Sequence, residues 1–263
     1  MRRIVVGYDG SESATAALEW AVDEARRRHV PVEVVTVHDD LPAGMPPWRQ
    51  PEPSPDAERR AAEIADGTLH DVTREHGSPS ERLVAACTTD DLLVVGSHGH
   101  GNLVGTLTGS VSRACLHAAP CPVVVVRRPA SPAGPVVVGV DASPPARRAL
   151  SFAADVAERR GVALEAVHAA GWVPVAGEMV MPTPEELTEW GQHLLRAELE
   201  RAGVTADAVV DPGHPNDALV RASEHAGLLV VGSRGRNPLT GLLLGSTSGH
   251  CAGRAHCPVA VVR

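Results

Sequence analysis

Residues 94–110 read VVGSHGHGNLVGTLTGS, and residues 230–246 read VVGSRGRNPLTGLLLGS. Each stretch is the end of an apolar strand, a glycine-rich loop and the first turn of a helix. Gly96 and Gly99 are followed by Gly109-Ser110, and Gly232 and Gly235 are followed at the same spacing by Gly245-Ser246. Glycine permits φ > 0 and lets a ligand approach the backbone closely. The unbonded N–H groups of a helix's first turn, reinforced by the helix dipole, favour an anion. One such loop is a weak signal. Two with a common spacing, each after a strand, point to a pair of phosphate-binding loops.

The repetition extends outward from these loops. Ile4–Arg28 matches Val136–Arg160, aligning Gly7 with Gly139 and Asp9 with Asp141. Val32–Asp40 matches Ala163–Gly171, setting His38 against His168. Gly77–Ala86 matches Gly213–Ala222, and His117–Arg127 matches Gly253–Arg263. A repeat of about half the chain is a duplicated domain, too long for a solenoid unit. We expect domains over residues 1–128 and 136–263, joined by a short, stiff, proline-rich linker at 129–135.

Within each copy short apolar runs alternate with helical patterns. Ile4–Asp9 is the apolar run of a strand buried on both faces. Ser11 then offers an N-cap, and Ala17, Leu18, Ala21, Val22 and Ala25 recur at helical spacing. Strands are also expected near 32–38, 69–75, 92–96 and 122–127, and in the second copy near 136–141, 163–168, 205–211, 228–232 and 258–262. Helices are expected over 58–66, 80–88, 110–117 and 185–202. This alternation implies βαβ units and a parallel sheet. Such sheets bind ligands beyond the carboxyl ends of their strands. Asp9, His38 and Gly96 stand at strand carboxyl ends and can meet in one cleft, as can Asp141, His168 and Gly232.

The 263 residues carry a net charge of −8, which argues against a general affinity for nucleic acid or an anionic membrane. No apolar run approaches the length of a membrane span. There is no lysine, which excludes a Walker-type phosphate lysine and a Schiff base. Five cysteines, an odd number, with no apolar leader before the first strand, suggest reduced thiols in a cytoplasm. Cys115, His117 and Cys121, like His250, Cys251, His256 and Cys257, lack a C-x2-C pairing and are expected to be core thiols rather than a zinc site. Each half ends in an apolar run, VVVV and VAVV, whose exposed edge would invite pairing.

Taken whole, the chain resembles a bacterial tandem universal stress protein of the ATP-binding type. That family's motif, G-x2-G-x9-G-[ST], is complete in both copies. The resemblance implies two Rossmann-like, flavodoxin-like α/β domains of the adenine nucleotide alpha hydrolase kind, with strand order 3-2-1-4-5 and a pseudo-twofold axis between them. It implies ATP as the ligand. Asp9 and Asp141, with Gly7 and Gly139, would lie by the ribose and adenine. Backbone around Val37 and Asp39, and around Val167 and Ala169, would contact the adenine. The phosphates would rest on Gly96, Ser97, His98, Gly99, His100, Gly101, Asn102, Gly109, Ser110 and Val111. In the second half they would rest on Gly232, Ser233, Arg234, Gly235, Arg236, Asn237, Gly245, Ser246 and Thr247. Asp39-Asp40 could hold Mg²⁺ near a triphosphate. Family members dimerise through the last strand, so the two halves would form a pseudo-dimer, or two chains a homodimer, with an unidentified protein partner reading the nucleotide state.

The residues themselves keep plainer alternatives open. Asp9 and Asp141 could cap helices instead of touching a ligand. His38 and His168 could be buried histidines bonded to backbone. The two loops also differ, with His98 and His100 in the first against Arg234 and Arg236 in the second. Arginine is always charged and binds phosphate bidentately, whereas histidine is mostly neutral at pH 7, so the second site is expected to hold a triphosphate more tightly. The absence of a base or metal-binding carboxylate in either loop favours a regulator over a slow ATPase or an adenylyl-transfer enzyme.

Overall fold

Ile4, Val5 and Val6 are consecutive and wholly screened from solvent, which requires a sheet covered on both faces. The computed structural model describes residues 1–38, 55–65, 67–99, 109–127, 133–171, 183–235 and 244–263. It divides into two units, Met1–Pro129 and Ala130–Arg263.

The first unit runs β1 (Ile4–Gly7), α1 (Glu12–Arg28), β2 (Val32–His38), α2 (Pro55–Ile64), β3 (Leu69–His76), α3 (Pro79–Ala86), β4 (Leu92–Gly96), α4 (Ser110–Ala118) and β5 (Val123–Val126). Its strands are parallel in the order β3-β2-β1-β4-β5. The second runs β6 (Val136–Gly139), α5 (Pro144–Arg160), β7 (Leu164–Ala169), α6 (Pro184–Ala202), β8 (Asp207–Asp211), α7 (Pro215–Ala222), β9 (Leu228–Gly232), α8 (Ser246–Arg254) and β10 (Val259–Val262). Its order, β8-β7-β6-β9-β10, is the same 3-2-1-4-5 pattern, again all parallel.

Local chemistry sets the helix ends. The Ser11 hydroxyl accepts the Ala14 N–H at 3.2 Å, and Ser143 accepts the Ala146 N–H at 3.3 Å. Thr183 and Glu186 form a reciprocal capping box on α6. Ala17, Leu18, Ala21 and Ala25 of α1 are fully buried, as the helical spacing predicts. α1 ends on His29 in the left-handed region (φ 54°), where α5 has Gly161 (φ 65°). All five cysteines are buried and unbridged.

One element of the repeat alignment is corrected by the hydrogen-bond ladder. Gly7 pairs with Val35 and Gly139 pairs with Val167. Tyr8 N–H reaches Val35 O at 3.0 Å, as Val140 N–H reaches Val167 O at 2.9 Å. With Gly7 matched to Gly139, His168 therefore corresponds to Thr36, and His38 to Ala170. The sequence match set His168 against His38, two residues off. A slip of two keeps every side chain on its own face of the strand, so the apolar pattern alone does not reveal it.

Candidate functional site

The motif residues of the second unit converge on a cavity of about 310 Å³ beyond the carboxyl ends of β6, β7 and β9. It is lined by Gly139 and Asp141 from β6 and the turn after it, Val167 and Ala169 from β7, and Gly232, Arg234 and Gly235 from β9 and its loop. Gly245, Ser246 and Thr247 close it at the start of α8. Ser233 does not line it and instead holds the loop, through its carbonyl. His168 lines it too, as expected from its place at a strand end, and so does Ser248, which the sequence did not single out. A wider, shallower depression of about 490 Å³ between α6 and β8 contains none of the motif residues.

The turn after each first strand is built alike. Asp9 Oδ1 accepts the Ser11 N–H at 2.9 Å, and Asp141 Oδ1 accepts the Ser143 N–H at 3.0 Å. Between them lie Gly10 (φ 82°) and Ala142 (φ 64°). The helix caps are Ser11 and Ser143, so these acids do not cap: one oxygen of each closes the turn onto the cap residue's N–H. The other faces the glycine loop: a Cβ on Gly99 would stand 2.6 Å from Asp9 Oδ2, and one on Gly235 would stand 2.8 Å from Asp141 Oδ2. A methyl at either position would displace the carboxylate from the loop.

Of the two freedoms glycine offers, positive φ is not used at Gly96, Gly99, Gly109, Gly232, Gly235 or Gly245. Crowding explains them instead. A Cβ on Gly96 would meet the α1 backbone at Ser13 and Ala14, at 2.8 and 2.9 Å. One on Gly232 would meet Pro145 and Ala146 at 2.9 Å.

Each loop is clamped at its base. Gly109 N–H bonds Ser97 O at 2.6 Å, and Gly245 N–H bonds Ser233 O at 2.7 Å. Ser112 Oγ donates to Ser97 O and Gly109 O, and Ser248 Oγ donates to Ser233 O and Gly245 O, at 3.0–3.4 Å. The Ser13 hydroxyl bonds His98 O, and Ser143 Oγ reaches Arg234 O at 3.4 Å. Composition and motif spacing gave these serines no role. The signal available was the repeated GSVS and GSTS at the two helix starts.

α4 and α8 begin on Gly109 and Gly245 with no side-chain cap, unlike α1, α5, α6 and α7. Their first-turn N–H groups therefore keep their capacity to bind an acceptor from outside. In the second unit that helix start faces the same cavity as the half-buried Arg234.

In the first unit Gly7, Asp9, Val37, Gly96, Ser97, His98, Gly99, Gly109, Ser110 and Val111 occupy the matching strand ends, loop base and helix start. His98 Nδ1 pairs with Ser97 Oγ at 2.9 Å. Asp39, Asp40, His100, Gly101, Asn102, Arg236 and Asn237 lie outside the described residues. By the corrected register Val37 corresponds to Ala169, and Val167 to Val35. The Val167 carbonyl already accepts the Val140 N–H. His168 is buried, with Nδ1 2.7 Å from Val140 O and Trp190 edge-on at 6.0 Å, so it is the backbone-bonded core histidine of the plainer alternative.

The model of the universal stress protein family matches residues 1–127 and again 133–263. A universal stress protein of Mycolicibacterium smegmatis is 37% identical over 286 residues, covering 99% of this chain and 96% of its own. A solved universal stress protein from Archaeoglobus fulgidus shares the fold at a TM-score of 0.74 and 22% identity, covering 99% of this chain and 98% of that one. A solved universal stress protein in complex with cAMP is 30% identical, covering 51% of this chain and 99% of its own, with a TM-score of 0.39.

Proposed function

Because the chain belongs to the universal stress protein family, we propose that it binds ATP in both halves and serves as a nucleotide-dependent regulator of the stress response rather than as a committed enzyme. The observation that carries this is that an uncapped helix start, Arg234 and the Gly235 backbone drawn up to Asp141 all line one cavity. Each has a separate task. The α8 N–H groups and Arg234 would hold phosphates, by dipole and by charge-assisted hydrogen bonds. Asp141 Oδ2 would accept from ribose hydroxyls, while Oδ1 keeps the turn rigid through Ser143. The ends of β6 and β7 would flank the base. Mg²⁺ would accompany the triphosphate, supplying charge neutralisation.

The first site is proposed to work the same way with His98 in place of Arg234, and therefore more weakly. Regulation rather than hydrolysis is supported by the chemistry of the described lining: Asp141 is its one carboxylate and is already engaged by the turn, and the chain has no lysine. Five unbridged thiols support a reducing, cytoplasmic setting.

The test has two parts. Protein purified without added nucleotide is denatured, and the released nucleotides are separated by ion-pair chromatography with mass detection. Calorimetry then follows ATP binding to Ser246→Glu and Ser110→Glu. Both serines are exposed first-turn residues, where an acid favours the helix but repels phosphate. We expect two ATP sites, Ser246→Glu removing the tighter one and Ser110→Glu the weaker. No nucleotide and no binding with Mg²⁺ would refute ATP binding. Equal affinities would refute the ranking.

A further inference from the structure

The two units differ at the amino-terminal end of β4 and β9, the opposite end from the cavity. α7 ends on Ser223, whose hydroxyl donates to Val220 O at 2.6 Å and accepts the His256 N–H at 2.9 Å. At the corresponding place α3 ends on Cys87, and the residue corresponding to His256 is Pro120, which has no N–H to offer. The Cys87 thiol instead neighbours that of Cys121.

The backbone fixes this approach from both sides. Thr88, next to Cys87, bonds Asp91 Oδ2 through its N–H at 2.8 Å and its hydroxyl at 2.9 Å, tying the end of α3 to the start of β4. Leu93 N–H bonds Pro122 O at 3.1 Å, drawing Cys121 to the same strand end. Cys121 stands between Pro120 and Pro122, so its backbone has little freedom. Its counterpart Cys257 has its thiol on Pro258 O at 3.4 Å, and the residue matching Cys87 is Ser223.

We propose that Cys87 and Cys121 are a redox-active dithiol of the first domain, oxidised by a peroxide to an intradomain disulfide. Cys121 as thiolate attacks one peroxide oxygen; the O–O bond breaks, the other oxygen leaves as hydroxide, takes a proton and becomes water, and Cys121 is left as sulfenic acid. The Cys87 sulfur then attacks the Cys121 sulfur. The S–O bond breaks, the departing hydroxide takes the Cys87 proton and leaves as a second water, and the S–S bond forms. The two thiols lose two electrons and the peroxide gains two.

The surroundings suit these roles. The neighbouring Cys87 thiol holds that of Cys121 below its ordinary value, while Cys121 and burial push Cys87 up. Those directions favour Cys121 as the attacking sulfur. Cys115, Cys251 and Cys257 are pushed up to about 12 by burial, which keeps them as inert thiols. Cys87 is the most open of the five, at 8% against 0–2%, so a peroxide enters beside it.

The experiment uses the full chain, treated with hydrogen peroxide, alkylated with N-ethylmaleimide in denaturant and cleaved after arginine. We expect peptide 83–113 linked to peptide 114–127, separated by dithiothreitol, with Cys251 and Cys257 alkylated. The link persists in Cys115→Ala. It is lost in Cys87→Ser, which copies the second unit's arrangement and keeps the native circular dichroism. Five alkylated thiols after peroxide, a Cys115–Cys121 link, or sulfinic acid on Cys121 with Cys87 still free would each overturn the proposal.

Discussion

Twice, one copy of the repeat holds a side chain in left-handed backbone where the other has glycine. Ala142 (φ 64°) stands where the first unit has Gly10 (φ 82°), and His29 (φ 54°) stands where the second has Gly161 (φ 65°). An L-residue in this region costs roughly 1–2 kcal/mol, and glycine gives back about 0.5–1 kcal/mol through its freer unfolded chain. Ala142→Gly is therefore expected to stabilise the second unit by about 0.5–1 kcal/mol, and Gly10→Ala to destabilise the first by a similar amount. Ala142 makes a stringent case because the Ser143-to-Asp141 bond at 3.0 Å forces the turn on it. For units of this size the change corresponds to a melting shift of about 2–5 °C. Calorimetric scans of the full chain, with urea midpoints as a second readout, would measure it. ATP binding should be retained in Ala142→Gly, since the Asp141 carboxylate keeps its bond. A lower melting temperature for Ala142→Gly, or shifts of the same sign for the two substitutions, would refute the reasoning, because the strain would then be met by contacts specific to alanine.

Gly235→Ala would push a methyl to 2.8 Å from Asp141 Oδ2 and lift the loop off the carboxylate; calorimetry should show ATP affinity at the second site falling about tenfold, about 1.4 kcal/mol, with little change in melting. Ser248→Ala removes the donor to Ser233 O and Gly245 O and is expected to cost about 1 kcal/mol in urea unfolding. Glu198 accepts from Arg147 at 2.7 and 3.0 Å, which holds its carboxyl below the ordinary glutamate value. Its contribution is therefore present above the unfolded value near pH 4.3 and lost as pH falls through the lowered folded value. Urea midpoints measured from pH 6 to pH 3 should fall less steeply in Glu198→Gln than in the native chain.

Much of this architecture is legible in the residues. Unbroken apolar runs such as Ile4–Val6 and Leu92–Val95 can only be strands covered on both faces, and their alternation with capped helices dictates a parallel sheet. Asp141 and Gly235 could be brought to one cleft on topology alone, since strand carboxyl ends share an edge. What escaped the sequence depends on register and crowding. The β2 and β7 match slipped by two residues because the hydrophobic period is blind to an even shift. Which of glycine's freedoms the loops use was not legible: at Gly96 and Gly232 it is the α1 and α5 backbones that leave no room for a methyl. The roles of Ser112 and Ser248 depend on the carbonyls of Ser97 and Ser233, which only the folded loop brings against them.

The clamps at the bases of the two loops have an evolutionary consequence. Each joins residues twelve apart, Ser97 to Gly109 and Ser233 to Gly245, with nearly equal bonds of 2.6 and 2.7 Å. Closure at the base is thereby held by backbone and a serine latch that both halves share. Substitution between the clamps leaves those bonds in place, so a duplicated chain has a stretch in each half where the two copies can specialise. Exchanging residues 100–108 with 236–244 would test whether ligand preference travels with that stretch.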